Sequence, residues 1–289
     1  MTARVAVTGS EGHLGRAVVA DLGEHGYEVV RIDRIASGDR VTRGGEVQIW
    51  DGRTVADLVP LLSDCVALIH LAALPTPLDQ PAEVVFANNT QATFAALEAA
   101  GVVGIRRCVI ASSGSAYGTA WSPQPTTFGY VPVDEDHPMI NYDPYGLSKE
   151  VDERTAAVMA RRHGLSVAAL RFHWIATAEQ QRAAVAGHRA ESDPASGLSN
   201  LWGYVDIRDA AAACRLAIEA AGRTAYGFVP MNIVAADSLV DASIGDLVRE
   251  LAPNTEIRSP LSPGRGAYLI ERAAQVIGWE PQHSWRDPA

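Results

Sequence analysis

Continuously apolar, β-branched runs alternate along the chain with alanine-rich stretches of helical periodicity. The apolar runs lack the in–out alternation of a half-exposed strand, so we predict strands that are buried on both faces. Strands that alternate with helices favour right-handed crossovers and an α/β fold with helices on both faces of a parallel sheet. The predicted strands are residues 4–9, 28–33, 47–51, 66–72, 107–113, 166–172 and 226–234, and the predicted helices are residues 14–25, 54–62, 82–100, 145–163 and 206–221.

One segment interrupts this alternation. Residues 119–143 are rich in proline and aromatic side chains and show no periodicity. Loops of this length inside a domain are often lids or binding loops. Trp121, Phe128 and Tyr130 are therefore predicted to form a wall over a substrate. The alternative is a surface loop that packs on its own domain.

Composition narrows the class of protein. The chain has 289 residues, of which 47% are hydrophobic and 20% charged, which suits one large domain or a domain with a smaller lobe. Its net charge of −10 argues against nucleic acid as a partner. Cys65, Cys108 and Cys214 are too far apart to indicate a disulfide framework or a zinc site. With no signal-peptide pattern and no apolar stretch long enough for a bilayer, we expect a soluble cytoplasmic protein without a membrane partner.

A glycine-rich turn follows the first predicted strand. Gly9, Gly12 and Gly15 in "TGSEGHLG" lie between this strand and the first helix, which is the context of a dinucleotide-binding turn in a Rossmann sheet. The alternative is a glycine-rich turn that binds nothing. Asp33 ends the second strand, where a carboxylate accepts hydrogen bonds from the adenine ribose and repels a 2′-phosphate. We therefore predict NAD rather than NADP as the cofactor, a preference that the adjacent Arg34 weakens.

A tyrosine and a lysine mark the candidate reaction centre. Tyr145 and Lys149 in "YGLSK" are separated by one helical turn and so share a helix face. A nearby ammonium stabilises a phenolate, which can exchange a proton with a substrate hydroxyl while a hydride moves to or from the cofactor. The alternative is an ordinary exposed helix pair. No histidine pair has the spacing of a helix-borne metal site, so no metal is predicted.

With these motifs the chain resembles the extended short-chain dehydrogenase/reductase superfamily, in its NAD-dependent epimerase/dehydratase group. The resemblance covers nearly the whole sequence. The matching segments are "TGSEGHLG", "HLAA" (70–73), "WDGRTVADL" with Asp51, "ANNTQATFAALEAA" (87–100) with Asn89, "IASSGSAYG" (110–118) with Ser113, "VPVDEDHP" (131–138), "PYGLSK", "GYVDIRDAAAACRLAIEA" (203–220) and "AAQVIGWEPQHS".

The resemblance implies roles for individual residues. Tyr145 is expected to be the general acid/base, Lys149 to hold the nicotinamide ribose, and Ser113 to bind the reacting oxygen. Asn89 is expected to order a water or a backbone group in the proton path. The expected cofactor-binding residues are Gly9, Ser10, Gly12, His13, Leu14, Gly15, Asp33, Arg34, Asp51, Gly52, Leu71, Ala72, Ala73, Tyr145 and Lys149, and the expected substrate-binding residues are Ser115, His173, Trp174 and Trp202.

The chain departs from nucleotide-sugar epimerases and dehydratases after the sixth predicted strand. Those enzymes typically have Asn and then Gly-Pro where "RFHWIATAEQQ" has Trp174 and Ile175-Ala176. The following segment, up to Tyr204, is also short for a nucleotide-diphosphate pocket and resembles compact uronate dehydrogenases. The resemblance thus favours an NAD-dependent oxidoreductase of a small sugar, sugar acid or carbonyl compound. The alternatives are a nucleotide-sugar epimerase or dehydratase and a non-catalytic dinucleotide sensor.

The domain organisation follows from the same resemblance. We expect residues 1–171 and 205–235 to form the Rossmann domain, and residues 172–204 and 236–289 to form a small C-terminal substrate-binding lobe. Helices 82–100 and 145–163 carry more apolar surface than one sheet face needs. Family members often pair these two helices in a four-helix interface, so a homodimer is expected.

Overall fold

Seven strands form one parallel sheet in the part of the chain that the structure describes. The computed structural model describes residues 2–34, 46–123, 127–190, 193, 195–262 and 264–288. The strands are β1 (Arg4–Thr8), β2 (Glu28–Asp33), β3 (Gln48–Ile49), β4 (Cys65–His70), β5 (Arg107–Ser113), β7 (Ser166–Phe172) and β10 (Phe228–Ile233). Their order in the sheet is β10-β7-β5-β4-β1-β2-β3. The chain thus adds β2 and β3 on one side of β1 and then β4 and the later strands on its other side. The prediction of a doubly wound α/β fold is therefore confirmed.

Helices cover both faces of this sheet. They are α1 (His13–Glu24), α2 (Val55–Leu58), α3 (Ala82–Val103), α4 (Pro144–His163), α6 (Ile207–Arg223) and α8 (Glu271–Ile277). Apolar side chains of α1, α6 and α8 pack with Val5, Val7 and Val109 on one face. Those of α2, α3 and α4 pack with Ala6 and Leu68 on the other. Alternate residues of one strand thus point into two different cores, which is why the strands read as continuous apolar runs.

A smaller lobe lies beyond the carboxyl ends of the strands. Two short parallel pairs and two helices belong to this part of the chain: β6 (Tyr130–Val131) with β11 (Glu256–Ile257), β8 (Trp174–Ala176) with β9 (Tyr204–Asp206), α5 (Ala178–Ala190) and α7 (Ile244–Leu251). A third core joins Tyr117, Phe128, Trp202 and Tyr204 to the buried face of α7. Phe128 and Tyr130 are buried. Two of the three aromatics expected over a substrate are therefore buried, and Phe128 belongs to the lobe core.

The C-terminal part of the predicted lobe contributes both to the core on the α1 and α6 face of the sheet and to the third core. Ala273, Ile277 and Trp279 pack in the core on the α1 and α6 face of the sheet. The indole N–H of Trp279 donates to the backbone oxygen of Asp209, on α6, at 2.9 Å. Residues 271–279 are thus part of the sheet domain, because α8 has its apolar face on α6. The other predicted domain boundaries stay predictions.

A buried ion pair between β7 and α4 is the centre of a hydrogen-bond network that reaches the segment before α4. Arg171, on β7, makes two hydrogen bonds of 2.8 Å to the carboxylate of Glu153, on α4. The same guanidinium donates to the hydroxyl of Tyr117 at 3.1 Å and to the backbone oxygen of Glu135 at 3.0 Å. Tyr117 in turn donates to Asn232, on β10, at 2.7 Å. The network therefore holds the segment before α4 against the ends of β7 and β10.

No helix among the described residues combines the length and the apolar composition of a membrane span.

Candidate active site

The glycine turn brings the backbone of β1 very close to that of β4. Gly9 has a φ of +70°, and a Cβ there would lie 2.7 Å from the backbone nitrogen of Ala72. A Cβ at Gly15 would collide with the carbonyl oxygen of Gly9. Gly12 precedes the first residue of α1 and has no side chain to cap the helix. The first N–H groups of α1 are thus left to bind an anion, and the residues present fit a dinucleotide pyrophosphate.

A first cavity of about 500 Å³ lies on the β2 side of this turn. Asp33 stands at its wall, with one carboxylate oxygen accepting from the backbone N–H of Glu11 at 2.9 Å and the other from that of Arg34 at 2.8 Å. Trp50, Asp51 and other residues after β3 and β4 complete the wall. The position of Asp33 at the end of β2 fits the recognition of an adenine ribose.

A second cavity of about 560 Å³ continues along the same sheet edge. It shares Gly9, Gly12, Leu71 and Ala73 with the first cavity. Two connected cavities on either side of a helix N-terminus have the extended shape that a dinucleotide requires. The second cavity has room for the reactive end of such a ligand beside Tyr145.

Tyr145, Lys149 and Ser113 line this second cavity together. The carboxylate of Asp143 caps α4 by accepting from the backbone N–H groups of Tyr145 and Gly146 at 2.9 and 2.8 Å. The Lys149 ammonium lies 5.6 Å from the centre of the Tyr145 ring and donates to the backbone oxygen of Ala111 at 2.8 Å. Both side chains are nearly buried. The Lys149 ammonium and the Tyr145 ring thus lie close to each other at the wall of the second cavity.

Asp152 is a further charged group beside Lys149, and the sequence analysis did not identify it. Its carboxylate lies 3.4 Å from the Lys149 ammonium, and the residue is 1% exposed. Burial raises the pKa of Asp152 to about 6, although the charge of Lys149 acts in the opposite direction. A carboxylate three residues after a lysine in a helix was the available signal.

Asn89 lies behind the reaction centre rather than in it. Its amide accepts from the backbone N–H of Leu74 at 2.8 Å and donates to the Leu74 carbonyl at 3.1 Å. The same amide donates to Ser148 at 3.1 Å, and Ser148 donates to the backbone oxygen of Tyr145 at 2.7 Å. Asn89 thus connects α3, the segment after β4 and the first turn of α4, while its role in a proton path stays a prediction.

Two buried histidines border the cofactor and substrate regions. His70 makes a 2.7 Å hydrogen bond with the hydroxyl of Thr8, as expected of a satisfied core histidine. Burial and then the charge of Lys149 lower the pKa of His70 to about 3. Burial and then Arg171 lower the pKa of His173 equally far, to about 3. Both imidazoles are therefore neutral at physiological pH.

His173 differs from His70 in having no hydrogen-bond partner for its Nε2 atom among the described residues. Its ring lines the second cavity and lies 4.0 Å, centre to centre, from the ring of Tyr268. A Cβ at Gly114 would lie 2.6 Å from the Cε1 atom of this imidazole. The ring therefore fits beside Ser113 because residue 114 has no side chain.

The substrate side of the second cavity is mainly aromatic. Trp121 and Trp174 are 37% and 42% exposed, and Phe172 and Tyr268 add two more rings to the lining. Among the described residues that line this cavity there is no arginine, aspartate or glutamate, and Lys149 is the one lysine. This wall can stack against a flat or hydroxylated ring, but it offers a diphosphate little charge.

Nearly all the predicted binding residues line one of the two cavities. Ser10 is the exception among the cofactor-binding residues: it is 1% exposed, and its backbone N–H donates to Ile32 at 3.2 Å. Ser115, His173 and Trp174 line the second cavity. Their roles stay predictions.

Trp202, expected to bind substrate, lines neither cavity and is instead a core residue. It is 2% exposed and packs in the third core. Its φ of +52° and the hydrogen bond from its N–H to the carbonyl of Gly197 at 3.0 Å direct the indole inward, under Gly197. Asn200 and Tyr268 line the cavity instead, and the sequence analysis did not identify either.

Comparison with known proteins agrees with this geometry. The family model of the NAD dependent epimerase/dehydratase family matches residues 5–227. A UDP-glucose 4-epimerase from Lacticaseibacillus casei is 26% identical over 96% of this chain and 92% of its own. An L-arabinose 1-dehydrogenase (NAD(P)(+)) from Haloferax volcanii is 32% identical over 62% of this chain and 70% of its own. The crystal structure of a short-chain dehydrogenase/reductase superfamily protein from Agrobacterium tumefaciens with bound NAD has a TM-score of 0.69 at 25% identity, covering 98% of this chain and 93% of that one.

Proposed function

Since the chain belongs to the NAD dependent epimerase/dehydratase family, whose cofactor is NAD, we propose that it is an oxidoreductase of a small uncharged sugar or related carbonyl compound. The observation that carries this proposal is the aromatic lining of the cavity beside Tyr145. Arginine is the residue that phosphate and carboxylate recognition favours, and the described lining of this cavity has none. A neutral hydroxylated ring suits exposed tryptophans and a neutral histidine better than a nucleoside diphosphate does.

Oxidation of a substrate hydroxyl group needs a proton acceptor for the oxygen and a hydride acceptor for the carbon that carries it. NAD, when bound, accepts the hydride from that carbon. The Tyr145 phenolate takes the proton of the substrate hydroxyl, and the Lys149 ammonium stabilises that phenolate. The Ser113 hydroxyl, which already accepts from the backbone N–H of Ser115 at 3.0 Å, holds the reacting oxygen. In the reverse direction Tyr145 returns the proton to the carbonyl oxygen.

The second candidate function is nucleotide-sugar epimerisation. The similarity to a UDP-glucose 4-epimerase over 96% of this chain favours it. An epimerase removes and returns the hydride within one turnover, so it releases no reduced cofactor. The two functions therefore differ in a quantity that is directly measurable.

The test is a substrate screen with the purified protein and NAD. Free aldoses, including L-arabinose, are offered in one set of reactions and UDP-glucose in another, with Tyr145→Phe as the control. We expect NADH absorbance to rise with at least one free sugar and only with intact Tyr145. Conversion of UDP-glucose to UDP-galactose without NADH would establish the second candidate. NAD binding without turnover of any of these compounds would favour a sensor.

We also infer a homodimer. The helices α3 and α4 expose large apolar side chains: Phe94 and Val158 are 47% and 48% exposed, and Leu147 is 44% exposed. Covering such side chains in a helix-to-helix interface removes apolar area from water. Light scattering at micromolar concentration tests the inference, and a monomer mass throughout that range contradicts it.

A further inference from the structure

Glu11 places a second carboxylate at the adenosine end of the site. It occupies the glycine turn between Gly9 and Gly12, and it lines the first cavity together with Asp33. The two residues are in direct contact, because the backbone N–H of Glu11 donates to the Asp33 carboxylate at 2.9 Å. Two acidic side chains therefore border the place where the adenine ribose is recognised.

Basic side chains surround these two carboxylates. Arg31, on β2, has a side chain that is 2% exposed and forms an ion pair with one oxygen of the Glu11 carboxylate. Arg16, in the first turns of α1, approaches the other Glu11 oxygen at 3.9 Å. Arg34 follows Asp33 directly and lines the same cavity. The arginines that a ribose 2′-phosphate site requires are thus present, but a carboxylate of the protein is paired with two of them.

We propose that Glu11 is a second cofactor-specificity residue, whose carboxylate takes the place of a ribose 2′-phosphate between Arg31 and Arg16. A 2′-phosphate carries close to two negative charges and would lie beside both carboxylates, whereas a 2′-hydroxyl carries none. Asp33, whose two oxygens each accept a backbone N–H, supplies one negative charge at this place, and Glu11 supplies a second. Removing the charge of Glu11 removes one source of repulsion and leaves Arg16 and Arg34, which line the first cavity, to interact with the phosphate.

The inference deepens the cofactor part of the proposed function. It rests on NAD as the family's cofactor and not on the proposed sugar substrate. Binding measurements test it without any substrate, so its failure is distinct from a failure of the proposed reaction.

The experiment compares Glu11→Gln with the wild-type protein by calorimetric titration. The ligands are NAD, NADP, AMP and adenosine 2′,5′-bisphosphate, the last two isolating the adenosine end. We expect the Kd of both 2′-phosphorylated ligands to fall by about tenfold or more in Glu11→Gln, because a unit charge a few ångströms away has an effect of this order. The Kd of NAD and AMP should change by less than about threefold. The gain should shrink as salt is added.

Two further variants keep the result interpretable. Glu24→Gln removes an equal charge from an exposed position at the end of α1, so it controls for net charge. Glu11→Ala removes the charge and leaves no amide to form a new hydrogen bond. Thermal unfolding midpoints check that each variant is folded. Unchanged NADP affinity in both Glu11 variants, or an equal gain in Glu24→Gln, overturns the proposal.

Discussion

The two cavities differ in the kind of side chain that lines them. The first is bordered by ionised side chains, with Glu11, Asp33 and Asp51 facing Arg16 and Arg34. The substrate side of the second is bordered by aromatic rings and a neutral histidine. Discrimination at the first cavity therefore depends on charge, while discrimination at the second depends on shape and single hydrogen bonds.

The two buried histidines show the same contrast at the scale of one side chain. His70, the last residue of β4, forms a hydrogen bond with Thr8 and lines neither cavity. His173 lies in the substrate half, and its Nε2 atom has no partner among the described residues. A buried polar atom without a partner is unfavourable unless water or a ligand meets it. Since His173 lines the second cavity, we expect a substrate hydroxyl to be the partner of this atom under the proposed function.

The largest expected effect concerns Tyr145, which lines the second cavity. Tyr145→Phe removes only the oxygen that carries the proton, so turnover should fall by about 100- to 10,000-fold. The Kd of NAD should stay within about threefold, because the phenol oxygen is a small part of the cofactor site. Steady-state kinetics and calorimetry measure the two quantities.

The matched control is Tyr142→Phe, which removes the same atom from a residue that is 52% exposed and lines neither cavity. Its turnover should equal that of the wild type. A Tyr145→Phe enzyme that retained near-full activity on an identified substrate would show that the proton passes through another group.

The next effect concerns the buried ion pair between Arg171, on β7, and Glu153, on α4. Arg171→Met leaves the Glu153 carboxylate buried without its cation, and unfolding free energy should fall by about 3–5 kcal/mol. Arg189→Met removes a guanidinium from an ion pair with Asp241 in which both side chains are more than half exposed. That change should cost less than about 1 kcal/mol. Urea denaturation compares them, and equal losses would contradict the role given to Arg171.

A smaller effect concerns the pH dependence of stability that the buried His70 and His173 produce. Both have a pKa lowered to about 3 in the folded protein, so only the unfolded chain takes up their protons as pH falls below about 6.5. Stability is thus fully present above that pH and is lost as pH falls toward 3. By pH 5 each of these histidines should have lowered the free energy of unfolding by about 2 kcal/mol. His173→Phe should abolish the part of this loss that His173 causes.

The control for this series is His25→Phe, a change at a histidine whose side chain is 45% exposed. Urea midpoints for the three proteins between pH 7 and pH 5 provide the measurement. A His173→Phe protein with the wild-type slope would mean that His173 is already able to bind a proton in the folded state.

The smallest expected effect concerns the aromatic wall. Trp121→Ala and Trp174→Ala should each raise the substrate KM by about three- to tenfold, since aromatic contacts are worth about 0.5–1.5 kcal/mol. NAD affinity should not change. Leu78→Ala, at a residue that is 72% exposed and lines neither cavity, is the control. A wild-type KM in both tryptophan variants would place the substrate elsewhere.

The sheet was predictable because its signals are local. Each strand of the sheet is an apolar run, and each large helix that covers the sheet begins or ends near a polar residue or a glycine that marks a helix terminus. The lobe was not, because β6 and β11 are two-residue strands whose pairing depends on contacts between distant segments. Helix α5 was missed because it buries only Gln181 and Val185 and so has little apolar periodicity.

The residues of the candidate site also divide into those that local sequence patterns predict and those that they do not. The glycine turn, Asp33 and Tyr145 follow strand ends or helix starts, and the parallel sheet brings those ends to one edge. Tyr268 reaches the cavity through the folding of the lobe, which no local pattern encodes. Trp202 was wrongly expected there because a left-handed backbone, invisible in the sequence, determines where its indole points.

The close contact between Gly114 and His173 has an evolutionary consequence. A Cβ at residue 114 would lie 2.6 Å from the Cε1 atom of the His173 imidazole, so any side chain at residue 114 requires the ring to move. The two positions therefore constitute a single unit of variation. Libraries that randomise one of them at a time will miss compatible pairs, and new specificities in this cavity are most accessible when both codons change together.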